Sequence, residues 1–269
     1  MPPATVDGRR LRPFQGSFKG DSTMTRRFLM VAMALALVLT MNTFASAADS
    51  APALAKGDRI VFLGDSITQG GGGPKGYITL VKNTLEAKDK DLGIEVFNAG
   101  ISGNKVPDLQ RRLQKDVLDK KPTIVFIYIG INDVWHWKKN DKGEMAGGTP
   151  KDKYEEGLKD LVAKIKAAGA RVILCTPSVI GEKNDGTNER DTMLDEYSEI
   201  SRKVAQETGV PLNDLHKVFQ AYEKENNKEN KPKGVLTGDG VHLNEAGNKF
   251  VAGLMLKALG VNAEVVESK

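Results

Sequence analysis

Residues 123–130 read TIVFIYIG, a run of β-branched and aromatic side chains with almost no polar break. A half-solvated strand alternates apolar and polar residues; a strand this apolar needs cover on both faces. Shorter runs of the same kind occur at 59–64 (RIVFLG), 94–98, 171–176 and 210–212. Between and after them the apolar spacing becomes helical, over 76–88, 106–118, 154–168, 191–207, 215–225 and 243–259, with Asn244 placed to cap the last helix. Buried strands alternating with helices imply a parallel sheet covered by helices on both sides. Five such units fit one doubly wound α/β domain, in the flavodoxin-like order. Neither a repeat nor a linker divides the pattern. The charge-rich stretch at 224–233 (KENNKENKPK) reads as a solvated helix end and loop.

Residues 1–47 stand apart from this body and read as an N-terminal extension and signal peptide. Arg26 and Arg27 form a basic start, 28–39 is an unbroken apolar run of twelve residues, and Ala45-Ser46-Ala47 supplies a small-x-small cleavage pattern. A spanning helix needs about 20 apolar residues, so the run suits a cleaved signal better than an anchor. Residues 1–23 are expected to precede the true start at Met24. The arginine pair matches a twin-arginine export signal only loosely. The expected mature protein is 48–269, periplasmic or extracellular, cleaved near Ala47 and without stable membrane insertion. The chain has 39 basic and 35 acidic residues; six of the basic and two of the acidic ones lie in 1–47, so the remainder is balanced. A balanced body offers no field to steer nucleic acid, and none is expected as a partner. The single Cys175 lies in an apolar run and reads as an inert buried thiol.

In doubly wound sheets the site lies beyond the carboxyl ends of the strands. Two long connections leave from that edge. Residues 133–150 hold Trp135, His136 and Trp137, and 178–190 is polar and rich in turn formers. Loops of that length at that edge commonly shape a binding site. Trp135 and Trp137 are candidates for stacking on sugar faces, or for packing the loop itself.

Four segments at those edges carry chemistry. The first strand ends in Gly64-Asp65-Ser66, where a serine at a strand-to-helix turn can hold its hydroxyl clear of the backbone. Residues 98–103 (NAGISG) and 130–133 (GIND) offer a glycine amide and an asparagine side chain as donors. Near the far end, Asp239 and His242 lie three apart in a glycine-rich turn, close enough for the carboxylate to orient the imidazole. Each segment alone reads better as a cap or a turn. Of the other histidines, His216 falls near a helix start and His136 in the long loop.

Taken in this order, the four segments resemble the SGNH hydrolases, the GDSL-type esterase/lipase family, over essentially all of 48–269. The resemblance implies Ser66 as nucleophile and His242 as base, oriented by Asp239. It implies Gly103 and Asn132 as oxyanion donors, beside the Ser66 amide; the sequence itself points to no cofactor or metal. Two departures are visible. Ile67 follows Ser66 where the family's motif has Leu, and a Gly70–Gly73 tract follows, expected to loosen the rim.

Other motifs fit less well. Gly71-Gly-Gly73-Pro-Lys-Gly76 spells a dinucleotide pattern, yet begins seven residues past the strand and holds Pro74 at its centre. A Walker lysine motif, a Gly-x-Ser-x-Gly elbow and a His-Glu-x-x-His helix are all absent from the sequence. The expected function is therefore an exported serine esterase acting on short acyl esters, acetyl groups on carbohydrate above all. The alternatives are a lysophospholipase or thioesterase taking longer chains, and a carbohydrate-binding protein that keeps the fold without turnover.

Overall fold

The computed structural model describes residues 53–88 and 90–267; the leader read at 1–47 lies outside them. β1 (Arg59–Gly64) leads through α1 (Ser66–Gly70) and α2 (Tyr77–Lys88) to β2 (Glu95–Gly100). α3 (Val106–Asp116) precedes β3 (Ile124–Tyr128) and α4 (Ile131–Trp135). A small antiparallel ribbon, β4 (Lys138–Lys139) with β5 (Met145–Ala146), interrupts the long connection before α5 (Lys151–Ala167). β6 (Arg171–Cys175), α6 (Asp191–Thr208), β7 (Leu212–Asn213), α7 (Leu215–Asn226) and α8 (Glu245–Ala258) complete the chain.

The five long-sheet strands run parallel in the order β2-β1-β3-β6-β7, the flavodoxin-like order. Every residue of β3, and all but the first of β1, is buried, as the apolar runs require. Phe62 and Phe126 stack across these two strands with ring centroids 4.7 Å apart, and Tyr77 of α2 meets Phe62 edge-on. Removing such a ring costs about 3–5 kcal/mol. α2 packs on α8, while α5 packs on both α3 and α6. β2, at the sheet edge, is only partly buried. Cys175 is fully buried, and burial pushes its thiol pKa up. Among the described residues no helix is long and apolar enough to cross a membrane.

The sequence spacing misplaces some ends, for physical reasons. α5 starts at Lys151 rather than 154, because its first turn is polar and exposed and carries no apolar signal. β4 and β5, two residues each, are too short to show a period. The Gly70–Gly73 tract is a series of closed turns rather than a loose rim. Gly71 N–H donates to Ile67 O, Gly73 N–H to Gly70 O and Gly76 N–H to Gly73 O, while Gly71 O accepts from Ile78 and Thr79. Asn244 caps α8 as expected, accepting from Gly247 N–H at 2.9 Å.

The register sets one further fact. Gly100, Gly64, Tyr128, Cys175 and Asn213 lie in a single row across the sheet. The connections that carry the motif residues leave from just beyond that row. There α1 lies almost against the end of β2. A methyl group at Gly100 would sit 2.1 Å from Gln69 N and 2.5 Å from the Thr68 carbonyl carbon. Both atoms are backbone and cannot swing away. Gly100→Ala is therefore expected to lose about 1–3 kcal/mol of stability, read from urea denaturation. An unchanged midpoint would show that α1 is free to move there.

Candidate active site

Ser66 opens α1. The Asp65 side chain caps the helix, accepting from Ile67 N–H at 2.9 Å, and buried Ile67 and Thr68 pin the turn to the core. The Ser66 amide is thereby the first N–H of a helix, which has no partner within the helix. The Ser66 hydroxyl oxygen lies 2.9 Å from His242 Nε2. His242 Nδ1 lies 2.7 Å from Asp239 Oδ2. The other oxygen of Asp239 accepts the backbone N–H groups of Val241 and His242, at 2.9 and 2.8 Å. A carboxylate only accepts, so a neutral His242 ring carries its proton on Nδ1 and turns the Nε2 lone pair toward Ser66. Burial works to raise the Asp239 pKa; the His242 ring and the two backbone N–H groups outweigh it and hold the carboxyl below its usual range.

The second and third segments meet beside this line. Gly103 is exposed, with φ of +76°, in the left-handed region where a side chain is strained. Its neighbour Asn104 accepts from Asn132 Nδ2 at 3.0 Å through its carbonyl oxygen. That bond fixes the carboxamide of Asn132, which is buried at the start of α4. Ser102 N–H donates to Gln69 Oε1, tying the same turn to α1.

The two tryptophans part company. Trp135 is 38% exposed and stands edge-on to the His242 ring, with centroids 6.2 Å apart. Trp137 is half-buried, and its indole N–H donates to the Tyr197 hydroxyl at 3.3 Å. Arg190 donates to the Trp137 carbonyl oxygen at 2.9 Å, joining the two long rim loops. His216 is buried away from solvent, with Nδ1 2.6 Å from Ser178 O and Nε2 2.7 Å from Asp195 Oδ1.

Sequence reasoning missed Arg112, on α3. Its guanidinium donates to Gly64 O at 2.8 Å, to Asn104 Oδ1 at 2.7 Å and to Asp116 at 3.0 Å. One planar group thus ties the end of β1 to the Gly103–Asn104 turn. An arginine inside an amphipathic helix carries no sequence signal of such a role. Asp133 was visible beside Asn132, but its task was not. It is fully buried and accepts from Val106 N–H at 3.1 Å, anchoring α3 to the start of the rim loop.

Residues 62–250 match the family described as GDSL-like Lipase/Acylhydrolase. The chain belongs to that family. An "Acetylxylan esterase" of Geobacillus stearothermophilus is 37% identical over 219 residues, covering 77% of this chain and 96% of that protein. The crystal structure of the acetyl xylan esterase AlAXEase is 45% identical, with a TM-score of 0.70, covering 75% of this chain and 99% of that one. The "Uncharacterized lipoprotein YqeF" of Bacillus subtilis (strain 168) is 28% identical over 187 residues, covering 60% of this chain and 71% of that protein. The GDSL-type chain described here is accordingly a carboxylic ester hydrolase.

Two buried carboxyls lie beside the GDSL serine. Burial above all pushes Asp65 up to about 7, with Asp133 adding to the rise and the Ile67 N–H and His242 opposing it. Burial likewise pushes Asp133 up to about 6 against Thr149 and the Val106 N–H. A carboxyl whose folded pKa lies above its unfolded value near 3.8 costs stability as pH rises between the two. Asn at position 65 keeps an oxygen for the Ile67 N–H and has no such titration. The stability advantage of Asp65→Asn, from urea denaturation, is therefore expected to be larger at pH 8 than at pH 4. Equal differences at the two pH values would contradict the raised pKa.

Proposed function

We propose that this GDSL-type hydrolase removes acetyl groups from carbohydrate, with Ser66, His242 and Asp239 as its catalytic residues. The observation that carries the reading is the unbroken line from the Ser66 hydroxyl through both nitrogens of His242 to Asp239. His242 Nε2 takes the Ser66 proton as the oxygen attacks the ester carbonyl. Asp239 keeps the ring in the right tautomer and stabilises the imidazolium that forms. The negative oxygen of the tetrahedral intermediate is received by the Ser66 and Gly103 amides and the Asn132 carboxamide. His242 then returns the proton to the leaving alcohol, and water, activated by the same ring, releases acetate from Ser66.

The choice of acetyl esters on a glycan rests on three supports. The relatives at 37% and 45% identity are named for acetylxylan. Both rim loops are polar. Trp135 presents an exposed ring next to His242, where a sugar bearing the ester can stack; Trp137, held through its N–H, serves the loop instead.

Hydrolysis of p-nitrophenyl esters from acetate to palmitate, followed by acetyl release from acetylated xylan, tests this reading. Activity is expected to peak at acetate, to vanish in Ser66→Ala and to fall about a hundred-fold or more in kcat in Asn132→Ala. A peak at long chains would move the substrate to lipids or thioesters. Absence of Ser66-dependent turnover on every ester would leave a binding protein.

We further propose that 1–47 is the export leader and that 48–269 is the exported body. The lipoprotein relative supports export. Protein recovered outside the cytoplasm is expected to begin at Ala48; an N-terminus that retains 28–39 would refute the leader.

A further inference from the structure

The base and its orienting carboxylate are poorly held by packing. The side chains of His242 and Asp239 are 42% and 52% exposed. Core packing reaches the turn through buried Leu236 and Val241, and the question is what else fixes a turn on which a 2.9 Å contact depends. The backbone leading into that turn supplies the answer. The N–H groups of Val235, Leu236 and Thr237 all point at one side chain, Glu182, in the rim loop after β6. Leu236 and Thr237 each donate to Oε1 at 2.6 Å, and Val235 donates to Oε2 at 2.7 Å.

Glu182 has no solvent exposure. Burying a carboxylate is costly unless donors replace water, and here three successive backbone donors do so. The stitching continues on either side. Glu182 N–H donates to Pro232 O at 3.0 Å, and Gly181 N–H donates to Gly240 O at 2.7 Å, inside the turn between Asp239 and His242. Asn227 donates to the Glu182 carbonyl oxygen at 2.6 Å. Thr237, gripped through its amide, closes the turn by accepting from Gly240 N–H at 3.0 Å and pairing with Leu243 as a β-bridge. A second buried carboxyl, Glu223, does not compete for the donors. Burial, followed by the charges of Glu182 and Asp191, pushes its pKa up to about 8.

We propose that Glu182 is the positioning residue for the base: its carboxylate clamps 235–237 and thereby sets where His242 and Asp239 stand relative to Ser66. The proposal rests on the catalytic reading above. It assigns no contact with substrate to Glu182, so binding should survive its loss while the chemical step suffers. A misplacement of about 1 Å at a reacting group can cost on the order of 100-fold in rate.

The test uses the full chain, with Glu182→Ala, Glu182→Gln and, as a stability control at the opposite end of the strands, where α5 leads into β6, Ile165→Ala. Steady-state kinetics on p-nitrophenyl acetate are paired with the far-downfield proton NMR signal of the His242 Nδ1–H to Asp239 bond. Glu182→Ala is expected to lose roughly 10- to 100-fold in kcat per folded molecule, with KM within about two-fold, and to lose or shift the downfield signal. Glu182→Gln keeps an oxygen for Leu236 and Thr237 but turns an amide N–H₂ toward the Val235 N–H, so it is expected to recover part of the rate. Ile165→Ala should lower Tm with kcat and signal unchanged. A folded Glu182→Ala with parental kcat and signal overturns the proposal. If Glu182→Ala does not fold, a folded Glu182→Gln with parental kcat and signal overturns it in the same way. Ser66→Ala run alongside separates the two readings. If it stays active the catalytic assignment itself fails; if it is dead while the Glu182 variants are normal, only the clamp fails.

Discussion

The active site depends on how closely the backbone beyond β1 is pressed against the ends of its two neighbours. The parallel register brings Gly64 level with Gly100 on one side and Tyr128 on the other. α1 then turns so tightly over β2 that only hydrogen fits at Gly100. From that contact the position of the serine follows. Ser66 is the first residue of a five-residue helix whose buried Ile67 and Thr68 leave it no freedom to slide. Arg112 reinforces the arrangement from below by gripping Gly64 O and Asn104 together. Ser66 and the Gly103–Asn104 turn are therefore tied to the same strand end, that of β1, which carries Phe62 of the stacked Phe62–Phe126 pair.

The other half of the site is built differently. Asp239 and His242 come from a turn after α7, with no strand beneath it and much of both side chains in solvent. Besides buried Leu236 and Val241, its order rests on hydrogen bonds: the Asp239 oxygen that accepts two amides, the Thr237–Leu243 bridge, and the Glu182 carboxylate under 235–237. Between the halves stand the two rim loops, joined by Arg190 to Trp137 O. Packing thus fixes Ser66, while polar bonds carry much of the placement of His242. Polar bonds that replace water must all be made to be worth making, which ties the base's placement to a few named groups.

This division explains what could be read from the sequence. Strands such as 123–130 declare themselves because burial on both faces demands continuous apolar residues. The parallel, doubly covered sheet follows from alternation with helices, and the motif segments fall at strand ends where ligands are expected. Ser66, Gly103, Asn132, Asp239 and His242 were each legible as a residue type in a suggestive place, and their mutual distances were not. The roles of Arg112, Asp133 and Glu182 were illegible, because each acts on backbone groups 27 to 55 residues away and leaves no local spacing. The tryptophans were split only by the fold: two apart in one loop, one stands exposed beside His242 and the other is bound to Tyr197.

The central claim is that the ester's acyl group passes through Ser66. Rapid acid quench during the first turnover of an acetyl ester, followed by peptide mass spectrometry, tests it most directly. One acetyl group on the peptide containing Ser66, absent from Ser66→Ala, is the expected result. Turnover with no acetylated Ser66 at any quench time, or with acetyl on another side chain, would contradict the account.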